Sequence, residues 1–143
     1  MMADVLAILG ERLAQLPACP CCEEDEEDIN HLMFQCDLAT QIWNRVAMWI
    51  QVDGPAFTDL EQMWSWVDTF SAYGGKRLIV AVISLIVMWM LWRYRNNKVF
   101  GNDVFRRDMV FDLIVSESFI WFSSRNRNLV KHWNGWMLNP LLN

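Results

Sequence analysis

Cys19-Pro20-Cys21-Cys22, the acidic run Glu23-Glu24-Asp25-Glu26-Glu27-Asp28, then His31-Leu32-Met33-Phe34-Gln35-Cys36: this stretch decides how the chain is read. Written as C-x2-C-x8-H-x4-C, it offers three thiolates and one imidazole, a complete tetrahedral set for Zn²⁺. A C-x-x-C pair lets two sulfurs reach one ion from a tight turn, whose backbone N–H groups can point at them. Pro20 stiffens that turn by fixing φ. His31 and Cys36 lie near the start of an apolar periodic run, so a helix beginning there can hold both on one side. Four protein ligands leave no open position, which points to a structural site rather than a hydrolytic one. Cys19 and Cys22 are preferred on spacing, although Cys21 could replace a neighbour as ligand.

Four cysteines also admit two disulfides or free thiols. Against disulfides, no secretory signal peptide is visible, and Cys19, Cys21 and Cys22 are too bunched to pair among themselves without strain.

Working outward, 143 residues suffice for one domain with a real core. An apolar fraction of 54% with nine Trp, eight Phe and nine Met excludes disorder and predicts heavy aromatic packing. Six Gly and four Pro are few for a many-turned β fold, so helices are favoured. The net charge of −5 conceals a split. Residues 1–72 carry 2 basic and 13 acidic side chains, net −11, and residues 73–143 carry 10 basic and 4 acidic, net +6. Such asymmetry suits two halves that attract each other, or a basic face for a polyanion. The acidic run reads as a solvated loop that repels phosphate.

In chain order, Val5, Leu6, Leu9, Leu13 and Leu16 form a helical stripe over residues 3–16, which Pro17 ends. Asp37 is the expected N-cap of a helix to about Trp49, carrying Leu38, Ile42 and Val46. Gly54-Pro55 breaks the chain, and Thr58 with Glu61 reads as a capping box for a short helix. Tyr73-Gly74-Gly75 is the next hinge. Leu78–Trp92 is fifteen residues without a charge. As a helix it would measure about 22 Å against a hydrocarbon core of about 30 Å, so a buried central helix is favoured over a membrane span. Asn96-Asn97 should end it. Asp103 is the expected N-cap of a further helix to about Phe122, followed by an irregular, aromatic-anchored tail. The expected fold is all-α: a small helical bundle with an N-terminal CCHC zinc knuckle. It forms a single domain over residues 1–143, with knuckle and flanking helices in 1–53, a linker with a short helix in 54–75 and a Trp-rich helical half in 76–143.

Three segments then carry a resemblance. The first is Cys19-Pro20-Cys21-Cys22, the acidic spacer, His31-Leu32-Met33-Phe34-Gln35-Cys36, Ala39 and Ile42-Trp43. The second is Trp89-Met90-Leu91-Trp92-Arg93-Tyr94-Arg95-Asn96-Asn97-Lys98-Val99-Phe100. The third is Ser118-Phe119-Ile120-Trp121 with Trp133 and Trp136. Together they resemble, in order, the reverse-transcriptase zinc-binding domain at the C-terminal end of plant LINE-type (non-LTR) retrotransposon proteins. The resemblance implies zinc coordination by Cys19, Cys22, His31 and Cys36, and a soluble rather than membrane-inserted second segment. It also implies nucleic acid as the nominal ligand. Polymerase, endonuclease and RNase H portions have no counterpart here, and Met1-Met2 reads as the start of a free-standing frame or a truncated relic.

The expectation is therefore a non-enzymatic, retrotransposon-derived zinc module, intracellular (nuclear or cytoplasmic). No Asp/Glu constellation has metal-catalysis spacing, and neither His31 nor His132 sits in a nucleophile–base arrangement. RNA or DNA contacts are placed on Arg93, Arg95, Lys98, Arg106, Arg107, Arg125, Arg127 and Lys131, with Trp133 and Trp136 as stacking platforms or as core. Two alternatives are kept. One is a protein-interaction or self-associating fragment using exposed aromatics. The other is a small membrane-associated protein using Leu78 to Trp92.

Overall fold

The structure, a computed structural model, describes residues 4, 18–23, 26–101, 105–129 and 131–142. The expected helix over residues 3–16 and the expected cap Asp103 fall on positions outside that set, Asp4 apart. All regular structure among the described residues is helical. A π-helical turn, His31–Gln35, leads into α1 (Asp37–Ile50). Then come α2 (Leu60–Asp68), α3 (Lys76–Phe100), a 3₁₀ turn at Arg107–Met109, α4 (Val110–Arg125) and α5 (Trp133–Leu138).

The spine is α3. Its apolar stretch Leu78–Trp92 buries Ile79 to Ser84, Val87, Met88 and Met90 to Trp92. By length and composition it could cross a membrane, yet 67% of its most apolar eighteen-residue window is buried inside the protein. α4 packs against α3 more extensively than any other pair of elements among the described residues. The π turn, α1 and α2 also lie on α3, and α5 closes on α4. One apolar cluster runs from Cys19 to Leu141.

Within it, rings meet edge to face, the arrangement their quadrupoles favour. Trp43 packs on Phe57 at 4.9 Å, and Trp66 on Phe70 at 5.3 Å. Trp49 sits 6.2 Å from Trp136, and its indole N–H donates to the Trp136 and Met137 carbonyls at 2.9 and 3.1 Å. The tail is thus pinned to α1 by a ring and a hydrogen bond together, and residues 133–138 form a helix where an irregular end was expected.

Several boundaries differ from the sequence expectation for local reasons. Cys36, not Asp37, occupies the capping position of α1; Asp37 is its first residue, where its carboxylate favours the helix dipole and pairs with Arg107 at 2.8 Å. The cap of α2 is Asp59, whose carboxylate accepts from the Gln62 N–H at 2.8 Å, while Gln62 Oε1 accepts from the Thr58 N–H. The box is present, shifted by one residue from Thr58/Glu61. α3 runs past Asn96-Asn97 because both amides find partners. Asn96 Oδ1 accepts from Arg95 Nη1 and Asn97 Oδ1 from the Phe105 N–H. It stops at Gly101, where a Cβ would come within 2.6 Å of the Asn97 carbonyl oxygen and side-chain nitrogen. α4 begins at Val110 through the 3₁₀ turn and reaches Arg125.

Candidate metal centre

Ala18 to Glu23 form the first half of the site. The Glu23 N–H donates to the Cys19 carbonyl at 2.7 Å, closing the turn, and Glu23 adopts φ +61°, the left-handed conformation that lets the chain reverse. The second half is built by Asp28, whose carboxylate accepts from the His31 N–H at 2.7 Å and so starts the turn that carries the imidazole. The Cys36 N–H then donates to the His31 carbonyl at 2.6 Å, an i→i+5 bond. That wide turn is what aims two side chains five positions apart at one point. The Met33 carbonyl within it accepts from the Trp43 indole N–H at 2.8 Å, so the local widening leaves that group satisfied.

The result is a cluster of Cys19, Cys22, His31 and Cys36 whose ligand atoms all lie within 4.8 Å of one another. Cys19 Sγ is 3.9 Å from Cys36 Sγ, and Cys22 Sγ is 3.3 Å from His31 Nε2. Zn–S bonds of about 2.3 Å and Zn–N bonds of about 2.0 Å at tetrahedral angles require S···S edges near 3.8 Å and S···N edges near 3.5 Å. The four residues fit the ion. The cysteines are free thiols and not cystines. Cys19, His31 and Cys36 are buried and Cys22 half-buried, so the centre has a wall of protein on most sides.

The electrostatics favour thiolate there. Cys21 and Cys36 donate to the Cys19 sulfur, and the backbone N–H groups of Cys22 and Cys21 point at it too, holding Cys19 well below the ordinary thiol range despite burial. Donating to Cys19, and then burial, push Cys21 and Cys36 above that range. A bound cation would replace those shared protons. Zn²⁺ held by Cys19, Cys22, His31 and Cys36 supplies a cross-link between turn and helix. Cys21 remains beside Cys19, outside the four.

A feature not anticipated from sequence ties this centre to the core. Glu27 and Arg95 form a bidentate pair, Nε to Oε1 at 2.8 Å and Nη2 to Oε2 at 3.3 Å, with side-chain exposures of 0% and 1%. Arg95 also lies over the Trp92 ring, 5.1 Å from its centroid. Part of the acidic loop is therefore not solvated: Glu27 is an internal counter-ion and Asp28 a cap, while Glu23 and Glu26 are exposed. The pair is 68 residues apart in sequence, so no local pattern signals it.

Arg95 is accordingly withdrawn from the surface as a nucleic-acid contact, and so is Trp136, which is 1% exposed and donates to Ser118 Oγ. The other candidates divide into two groups. Arg93, Lys98 and Arg106 are exposed near the C-terminal end of α3, with Arg107 half-buried on Asp37. Arg125, Arg127, Lys131 and Trp133 lie at the far end of α4, a 16-residue helix about 24 Å long. Arg106 is paired with Asp108 at 3.2 Å, Lys131 donates to the Leu142 carbonyl, and Trp133 packs on Phe119 at 5.3 Å. The structure does not join all of them into one patch.

No curated protein and no solved structure matches the chain. The family described as zinc-binding in reverse transcriptase matches residues 4–43, the segment that contains all four clustered side chains. A Cys₃His group positioned for a metal ion lies inside that match, so residues 4–43 are similar to the zinc-binding segment of reverse transcriptases.

Proposed function

We propose that the chain is a non-enzymatic, retrotransposon-derived module in which structural zinc folds the front of the molecule and RNA or DNA binds the exposed cations at the C-terminal end of α3. The observation that carries it is Arg93 and Phe100, the latter 75% exposed, on one groove, with Lys98 exposed in the last turns of α3 and Arg106 exposed beyond its end. Arg93, Asn96, Asn97, Phe100 and Phe105 line a shallow groove of ≈ 310 Å³. Cations for phosphate and an open ring for base stacking are what single strands use. Four protein ligands on the metal leave it no place for a substrate, which supports a role without catalysis. Reduced cysteines agree with an intracellular setting, nuclear or cytoplasmic.

Filter binding of a single-stranded RNA across a salt series tests the reading. Affinity should fall steeply between about 50 and 200 mM salt, and each of Arg93→Gln, Lys98→Gln and Arg106→Gln should reduce the salt slope by about 1. Absence of binding at low salt overturns it.

A second reading, protein interaction or self-association, draws on Leu78, Trp89, Ile120 and Leu138, which are 40%, 45%, 58% and 75% exposed. Nuclease-insensitive association would favour it. A membrane-associated role for Leu78 to Trp92 is weakened by the burial of most of that stretch.

A further inference from the structure

We propose that Arg95 of α3 is the positioning residue of the metal centre: its grip on Glu27 fixes the turn that carries His31 and Cys36, and so sets how tightly zinc is held. The inference rests on the cage of Cys19, Cys22, His31 and Cys36 and adds to it a residue from outside the four.

The Arg95 guanidinium is held through all three of its nitrogens. Nε and Nη2 donate to the two Glu27 carboxylate oxygens at 2.8 and 3.3 Å, and Nη1 donates to Asn96 Oδ1 at 3.1 Å. Its Cζ also lies over the Trp92 ring. Two parallel bonds to one carboxylate fix direction as well as distance, which a Lys ammonium does not do.

Glu27 lies on the connection between the two ligand pairs, and its neighbour Asp28 is the root of the second pair. The Asp28 carboxylate accepts from the His31 N–H at 2.7 Å, and its carbonyl accepts from the Leu32 N–H at 3.0 Å. The Cys36 N–H then closes on the His31 carbonyl at 2.6 Å. Fixing Glu27 on α3 therefore fixes the start of the turn from which an imidazole and a thiolate are aimed. Ligands held in place by their supporting contacts meet the ion without reorganising, and loss of such a support costs about 10–100-fold in metal affinity. Charge points the same way. Three thiolates outweigh one divalent cation, so the loaded cage is anionic, and Glu27 brings a further buried carboxylate on the loop between its ligands. Arg95 is the buried cation that balances it. The metal centre thus reaches past the matched residues 4–43, because the side chain that orients it belongs to the central helix.

Competition for Zn²⁺ between the full chain and a chromophoric chelator tests the proposal, with the d–d spectrum of the Co²⁺-loaded chain as a second reading of ligand geometry. Arg95→Met should weaken zinc about 10-fold or more and shift the Co²⁺ bands. Arg95→Lys keeps the charge but not the two parallel bonds, and should fall between. Trp136→Ala is the control, a core change against the rings of Trp49 and Phe122, and it should leave zinc affinity unchanged. Glu27→Leu/Arg95→Met removes the tether without leaving a buried charge, and it too should bind zinc about 10-fold more weakly than wild type. Should Arg95→Met fail to fold, this double variant decides alone. Wild-type affinity in either variant, or an equal loss in Trp136→Ala, overturns the proposal and leaves the cage standing. A wild-type chain that takes up no metal overturns the cage, and this proposal with it.

Discussion

Residues 18–36 and the segment from α3 to the C-terminus are held by different physics. The front has a tight turn, a charged loop and one wide turn, and its order depends on four side chains converging on a point. The rear has no such point. Its order comes from fully buried Ile83, Met88, Met90, Leu91, Ile114, Phe122 and Trp136, none of which is individually decisive. A metal cross-link is directional and all-or-none, whereas apolar burial is graded and roughly proportional to area. The Glu27–Arg95 pair joins the two, with both side chains buried.

The comparison breaks most sharply under chelation. About one Zn²⁺ per chain should be found, and stripping it should abolish amide-exchange protection over residues 26–36 while α3 and α4 stay protected. Structural zinc in finger peptides contributes about 10–16 kcal/mol, far more than any single contact in the rear. Cys36→Ser should reproduce the loss, and Cys21→Ser should leave the metal in place by elemental analysis. Simultaneous melting of α3 would show instead that the two regions are one cooperative unit.

Next in size is the junction. Arg95→Met alone leaves Glu27 a buried, unpaired charge, and should cost about 3–5 kcal/mol in urea unfolding. The double replacement Glu27→Leu/Arg95→Met should recover most of that. In the rear, Trp136→Ala should cost about 3–5 kcal/mol by the same measurement, with zinc stoichiometry unchanged. Smaller still, Ser84 Oγ is buried in α3 without a partner among the described residues, so Ser84→Ala should stabilise by about 1 kcal/mol. Finally, Gln51 ends α1 at φ +59°, and Gln51→Gly should raise stability by about 0.5 kcal/mol by relieving the left-handed strain.

Much of this could be read from residues alone, for reasons that also set the limit. The cluster Cys19, Cys22, His31 and Cys36 was legible because coordination demands particular atoms at short spacing. The cores of α1 and α3 were legible because their apolar periodicity is local. Helix ends were not: whether Thr58 or Asp59 caps α2, and whether Asn96-Asn97 stops α3, depends on which neighbour satisfies a side chain. Arg95 and Trp136 show the larger gap. Each looks like a surface contact in a basic, aromatic stretch, and each is buried by a partner tens of residues away, Glu27 in one case and Trp49 in the other.

The π turn at His31–Gln35 has a bearing on how such chains can vary in length. One residue added or removed between imidazole and thiol would swing Cys36 by about 100° around the helix axis, away from the ion. The interval of four is therefore locked. The stretch between Cys22 and Asp28, by contrast, needs only to deliver Glu27 to Arg95 and Asp28 to the turn, so insertions on the Cys22 side of Glu27 leave the geometry of the cage untouched.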